Sequence, residues 1–235
     1  MYNKEQITTC QGCKFKTACI FSELETGAQK EWQTLRNFKK FKDGQPIYAE
    51  NENPTGVFIV CKGRVKIYST DYLGQQLITW IRHPGEMFGH LALFSGNGYS
   101  CNAESMGEAF ISLIAGPAFN KLMEKFPRIS YLMLKKMSIE NKAMQLKLKD
   151  TAYKPAKAKV AHTLAKHISY KSKNTETPTI YGVKRTEIAE ITGLALETVV
   201  RILSDFEKKK MIERSPSHIK ILDLQALLKI SHQQK

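Results

Sequence analysis

The sequence has no apolar run long enough to cross a bilayer as a helix, no leader-like start and no low-complexity tract. A soluble, cytoplasmic protein of prokaryotic type is therefore expected. Nucleophile–base pairs and phosphate-binding loops are missing too, so an enzyme is not expected. Acidic residues are scarce: 22 Asp and Glu stand against 36 Lys and Arg, a net charge of +14 over 235 residues. That imbalance points to a polyanionic partner, nucleic acid before membrane. The basic residues crowd the chain from Lys135 onward. Apolar content is ample at 42%, enough for a real core in one large domain or two smaller ones.

Cysteine is sparse, five in all, yet three fall within ten residues: Cys10, Cys13 and Cys19. In a reducing cytosol such clustering points to metal, cluster or redox chemistry rather than structural disulfides. Two residues between Cys10 and Cys13 let both thiolates face one centre, and five more let the chain loop back with a third. Lys14 and Lys16 are expected to offset thiolate charge and lower the thiol pKa. Zinc and iron–sulfur clusters usually take four ligands, so a fourth must come from elsewhere. A zinc clip, a disulfide switch or an inert N-terminus are the alternatives.

From Phe21 to about Phe41 the pattern is helical, with Leu24, Trp32 and Leu35 as core contacts. The period then changes. Strands are expected at Pro46–Ala49, Val57–Val60, Val65–Tyr68 around Lys62-Gly63-Arg64, Gln76–Ile81 and Ala109–Ile114, with turns at Lys42–Gln45, Asn51–Gly56, Thr70–Gly74 and Pro84–Glu86. Many short strands punctuated by Gly and Pro argue for a β-sandwich or jelly roll. A short helix over Phe119–Phe126 precedes a long one from Pro127, which Pro155 ends or kinks. Leu134, Met137, Asn141, Met144 and Leu148 follow a 3–4 spacing on that helix and predict the seam of a parallel homodimer. One face packing on the chain's own barrel is the alternative. A helix over Val160–Ile168, a polar loop from Lys171 to Pro178 and a short strand Thr179–Tyr181 follow.

Ile188, Ala189 and Ile191 give helical spacing, Thr192-Gly193-Leu194 breaks it, and a second helix presents Val199, Ile202, Leu203 and Phe206 on one face. Gly193 can take the positive φ that a tight helix–helix turn needs. Glu197, Val200, Arg201 and Ser204 lie on the opposite face. An ordinary helical hairpin shares this spacing. What distinguishes this one is the following context: Lys208-Lys209-Lys210 and then a predicted β-hairpin, Met211–Arg214 and His218–Leu222 about Ser215-Pro216-Ser217. Helix-turn-helix plus β-hairpin is a winged helix, whose second helix enters the DNA major groove. There Arg can donate to guanine O6 and N7, and Glu can accept from cytosine N4.

A β-roll, a long dimer helix and a C-terminal winged helix, in that order, resemble the CRP/FNR family of bacterial transcription regulators over roughly Phe21–Leu228. The stretch Gly85-Glu-Met-Phe-Gly-His-Leu-Ala-Leu-Phe94 looks like the family's phosphate-cassette region, and Leu196-Glu-Thr-Val-Val-Arg201 is the most specific match. The resemblance implies an α+β fold: an N-terminal β-roll (double-stranded β-helix or jelly roll), a long dimerisation helix and a C-terminal winged helix-turn-helix. It divides the chain into a cysteine segment 1–20, a sensor domain 21–126, the dimerisation helix 127–154 and the DNA-binding domain 155–235. It implies a homodimer on double-stranded DNA with half-sites about one helical turn apart, RNA polymerase as a further partner and no membrane.

By the same resemblance Glu197 and Arg201 read a G·C pair in a TTGA- or GTGA-type half-site, Thr198 lies in the recognition stretch, and Arg185 grips a phosphate. Val200 stands where the FNR branch has Ser and the CRP branch Gly, and could touch a thymine methyl. Ala195 stands where the family has a Ser or Thr N-cap, a loss of ~1 kcal/mol. In the β-roll, Gly89, His90, Leu91, Ser100 and Cys101 mark the family's effector pocket. His90 replaces the glutamate that binds a cyclic nucleotide's ribose, and Ser100-Cys101 replaces the Arg-Ser pair that binds its phosphate, so cyclic AMP is not expected. Cys-x2-Cys-x5-Cys is the N-terminal ligand pattern of the oxygen-sensing FNR branch and implies a [4Fe–4S] cluster. The family's fourth cysteine falls at Ser112; Cys101, eleven residues earlier, is the candidate replacement, with Cys61 or a carboxylate as alternatives. Where that branch has an acidic residue in the dimer seam stands Met144, so the dimer is expected to persist without a cofactor. A small molecule in the β-roll or a thiol–disulfide switch is the other expected signal. A cupin-type metalloenzyme is the remote rival, but its barrel offers only His83 and His90 as histidine ligands.

Overall fold

The structure, a computed structural model, describes residues 9–168 and 177–233. The expected polar loop from Lys171 lies mostly outside the described residues. The chain divides into two compact units, Met1–Ile139 and Glu140–Lys235. The boundary falls inside the long helix.

In the first unit, two short 3-10 turns (Lys16–Ala18 and Ile20–Glu23) lead into helix α1 (Thr26–Leu35). Six strands follow: β1 (Arg36–Phe41), β2 (Pro46–Tyr48), β3 (Gly56–Thr70), β4 (Gln76–Arg82), β5 (Met87–Phe88) and β6 (Asn102–Ala115). Helix α2 (His90–Ser95) interrupts them, and α3 (Gly116–Lys125) and the first part of α4 (Pro127–Tyr153) close the unit. The antiparallel order is β1-β6-β3-β4, with β2 also on β6 and β5 also on β3. The expected helix from Phe21 to Phe41 is thus half helix, half strand. Arg36-Asn-Phe-Lys-Lys-Phe41 pairs with β6 from Arg36↔Ile114 to Phe41↔Ala109, mostly exposed. An edge strand clothed in basic side chains shows no clean alternation.

The two strands expected either side of Lys62-Gly63-Arg64 are one, the 15-residue β3. Gly63 does not turn the chain. It has φ +84°, and a Cβ on it would lie 2.4 Å from the Glu108 carbonyl oxygen. The pairing runs Val60↔Ile111 and then Lys62↔Phe110, so two residues on β3 pass for one on β6 and Cys61 is the extra one. This is a β-bulge, which bends a strand and re-aims its side chains. Both faces of Val57–Val60 are buried. Val57 and Ile59 pack with Phe21, Trp32, Ile114, Phe119 and the Ile129, Leu132 and Met133 of α4. Phe58 and Val60 face the barrel interior with Tyr48, Phe88 and Ile111.

The second unit holds the rest of α4, then α5 (Ala156–Lys166), β7 (Thr179–Tyr181), α6 (Arg185–Thr192), α7 (Leu196–Lys208), β8 (Ile212–Arg214), β9 (His218–Ile221) and α8 (Leu224–Ser231). The strands order as β7-β9-β8. Apolar residues at helical spacing meet in one core: Val160 and Leu164 of α5, Ile188 of α6, Val199, Leu203 and Phe206 of α7, Ile221 of β9. The expected helix-turn-helix, wing and preceding strand are all present. Among the described residues no helix is long and apolar enough to cross a membrane.

Candidate DNA-reading surface and cysteine cavity

Helix α6 begins with the Lys184 backbone N–H donating to the Glu187 carboxylate at 2.7 Å, half of a capping box. It ends at Gly193, φ +63°, where the Leu194 N–H donates to the Ala189 carbonyl at 3.2 Å. That left-handed residue reverses the chain for α7. Val199, Ile202, Leu203 and Phe206 of α7 are buried, so the opposite face is fixed. Glu197 and Arg201 are exposed on it, and Thr198 and Val200 half-buried. Arg185, at the start of α6, is exposed as well. Ala195 has no side chain to cap α7, as expected.

The other acidic groups of α7 are engaged within the unit. Asp205 holds Lys157 of α5 at 2.5 Å and Lys209 at 3.3 Å. Glu207 holds Arg214 of β8. Hydrogen bonds from these cations keep both carboxyls below their ordinary pKa.

In the first unit a cavity of about 390 Å³ is lined by Cys10, Cys13, Cys19 and Cys61, with Phe21, Trp32, Ile59 and Arg36 among its walls. A turn from Cys10 to Cys13 (Cys13 N–H to Cys10 carbonyl, 3.3 Å) and the 3-10 turn at Lys16–Ala18 fold the segment over it. Arg36 Nη1 donates to Cys10 Sγ at 2.7 Å. All five cysteines are free thiols. Burial pushes the Cys10 thiol up to about 11, with Arg36 opposing. It pushes Cys61 up to about 12, again with Arg36 opposing, and raises Cys19. The expectation that Lys14 and Lys16 lower these thiols is corrected: at Cys10 desolvation outweighs the Lys16 charge, and Cys19 is raised by its burial. Among the described residues, no three His, Cys, Asp or Glu side chains converge tightly enough to hold a metal ion as they stand. The donor set nonetheless fits a cluster. Four thiols is the number that iron–sulfur clusters take, and a half-buried guanidinium offsets thiolate charge.

Residues 38–126 match the family model described as a cyclic nucleotide-binding domain, and residues 158–230 match the Crp-like helix-turn-helix domain. The transcriptional activatory protein AadR of Rhodopseudomonas palustris is 25% identical over 92% of this chain and 92% of its own. The fumarate and nitrate reduction regulatory protein of Vibrio cholerae is 23% identical over 94% and 90%. The solved structure of FixK2 from Bradyrhizobium japonicum superposes with a TM-score of 0.74 at 21% identity, over 84% of this chain and 98% of that one, which speaks for the fold. The chain belongs to the CRP/FNR family. It is a DNA-binding transcription regulator, and family membership implies DNA and a second copy of the chain as partners.

Within this CRP/FNR-family chain, one expectation needs correction. Cys101 does not reach the cysteine cavity. It packs against the barrel-interior cluster that holds Tyr48 and Tyr99. Cys61 is the fourth cysteine there. The signal in the sequence was the glycine two residues after it, which marks a bulge. The five expected effector-pocket residues differ in exposure. His90 is buried at the start of α2, beside Gly89, whereas Leu91 is 52% exposed and Ser100 is exposed. In the same cluster, Tyr48 and Tyr99 stack at 3.7 Å between ring centroids. The expected seam of α4 is open in the single chain: Leu134 is 65% and Leu148 70% exposed, Asn141 and Met144 are exposed, and Met137 is half-buried.

Proposed function

We propose that this regulator is a homodimer of the FNR-like branch that reads a TTGA- or GTGA-type palindrome and reports oxygen, redox state or nitric oxide through an iron–sulfur cluster in the cysteine cavity. RNA polymerase is the further partner on this reading. The observation that carries it is the enclosure of Cys10, Cys13 and Cys19 with the Arg36 guanidinium in one largely apolar cavity. The likeness to a fumarate and nitrate reduction regulatory protein supports it.

The chain's own residues supply a route from this cavity to the dimer helix. Cys10 and Cys19 belong to the same packed cluster as Ile129, Leu132 and Met133 of α4. Glu23, four residues after Cys19, pairs with Lys135 of α4 at 3.2 Å. A bound cluster supplies redox chemistry and would fix the cysteine segment. Segment and helix share one core, so the segment's state biases the packing of α4 and with it the population competent for DNA.

The test is binding to a labelled TTGA-type palindrome by protein purified without oxygen, repeated after exposure to air. Affinity well above that for random DNA, falling after air, is expected. Equal affinity before and after air would refute the sensor reading while leaving the DNA-binding one. An iron-free protein whose affinity instead follows thiol oxidation would put a disulfide switch in the cluster's place. One that follows an added small molecule would put an effector there.

A further inference from the structure

Three cysteines of one short segment leave a four-thiolate site incomplete, and the structure shows which residue is poised to complete it. Cys61 is not a neighbour of the segment in sequence. It comes from β3, at the register slip between Val60↔Ile111 and Lys62↔Phe110. Regular pairing would keep one of any two successive side chains away from the cavity. Across the bulge, Ile59, Val60, Cys61, Lys62 and Gly63 all contribute to its wall.

The bulge is held from both sides. Gly85 N–H donates to the Val60 carbonyl at 2.8 Å, and Val60 N–H donates to the Glu86 carbonyl at 3.0 Å. Gly63 admits no side chain against Glu108. The three N-terminal thiols therefore ride on a folded-over segment, and Cys61 is presented from a fixed strand.

The alternatives fare worse on the same geometry. Cys101 is on the barrel-interior side, beside Tyr48. Ser112 lies opposite Ile59 on β6, fully buried, and offers a hydroxyl rather than a thiol. Among the described residues, neither it nor any carboxylate lines the cavity.

We propose that Cys61 is the fourth thiolate of the site formed with Cys10, Cys13 and Cys19, a strand-borne ligand that closes the cysteine segment onto the β-roll. The inference rests on the cluster reading above. When the four thiols bind the group they give up their protons, since the thiolate is the ligand. The Arg36 guanidinium remains as the cation at Cys10.

The test compares full-length wild type with Cys61→Ala, Cys61→Ser and Cys101→Ser, all purified without oxygen. Iron, acid-labile sulfide, zinc and the visible spectrum are measured, and a thermal melt confirms folding. Wild type and Cys101→Ser are expected to carry equal iron and sulfide, and Cys61→Ala several-fold less, with an unchanged melt of the second unit. Cys61→Ser guards against a packing defect in the alanine variant: its iron should also fall, or its spectrum change through a weaker oxygen ligand.

Full iron and an unaltered spectrum in both Cys61 variants would overturn the assignment. Loss in Cys101→Ser instead would move the ligand there. A wild type with neither iron nor zinc would defeat the cluster reading, and the fourth-ligand assignment with it. Zinc bound in wild type and lost in Cys61→Ala would defeat the cluster reading alone and uphold Cys61.

Discussion

Glu207 of α7 and Arg214 of β8 are joined side chain to side chain and side chain to backbone. Arg214 Nε and Nη2 donate to Glu207 Oε2 at 2.9 and 2.5 Å, and the Arg214 backbone N–H donates to Oε1 at 3.0 Å. Arg214 Nη2 also reaches Ser204 Oγ at 3.3 Å. A forked guanidinium on a carboxylate fixes orientation as well as distance. The pair therefore locks the wing to the end of the recognition helix. Arg214→Ala should lower the melting temperature of the second unit by a few degrees. It should also weaken operator binding with little change in base preference, as read by calorimetry and by a panel of single-base operator variants. A changed preference would mean that Arg214 reads bases itself.

The same contact makes the second unit acid-sensitive. Glu207 and Asp205 are both held below their ordinary carboxyl pKa, chiefly by hydrogen bonds from Arg214 and Lys157. A depressed carboxyl contributes stability that is present above its unfolded pKa and lost as pH falls through the folded one. The melting temperature of the second unit should therefore hold near neutrality and fall below about pH 4.5, the ordinary range of these groups. In Glu207→Gln the fall should be shallower. An identical acid limb in that variant would remove Glu207 from the account.

Arg201 and Glu197 stand exposed on the face of α7 that the buried Val199, Ile202, Leu203 and Phe206 leave outward. Arg201→Ala should cost ~1–3 kcal/mol of specific affinity and relax preference at one base pair. Lys-to-Ala changes at phosphate-contacting positions should instead weaken all sequences alike and flatten the salt dependence. Unchanged discrimination by Arg201→Ala would refute the base-reading role.

Ala195 leaves the first N–H groups of α7 without a side-chain acceptor. Its φ of −59° and ψ of 143° are already those of an N-cap residue. Ala195→Ser should therefore raise stability by ~1 kcal/mol without rearrangement. Thermal melts of the free protein check this.

Much of this was legible in the sequence because the second unit obeys local rules. The apolar spacing of α6 and α7, Gly193 between them and the Ser215-Pro216-Ser217 turn each point the same way, and the structure follows them. The first unit is less transparent. Phe38 and Phe41 are three apart, which suits a helix, yet they lie on β1, whose exposed lysines conceal the alternation. Gly63 looks like a turn residue and lies inside a long strand, two residues past the bulge at Cys61. Read as a turn, it leaves Cys61 only an alternative ligand, since the register slip alone shows which wall Cys61 joins. Cys101 lies eleven residues before Ser112, just ahead of β6, and that separation does not tell which side of a barrel a side chain meets.

The most direct test is chemical. Full-length wild-type protein, purified without oxygen, would be assayed for iron, acid-labile sulfide and visible absorption, then exposed to air and assayed again. About four irons and four sulfides per chain, with a broad absorption that air bleaches, are expected of a four-thiolate cluster. A colourless, iron-free protein that still binds the palindrome would contradict the cluster account and leave a regulator governed by some other signal.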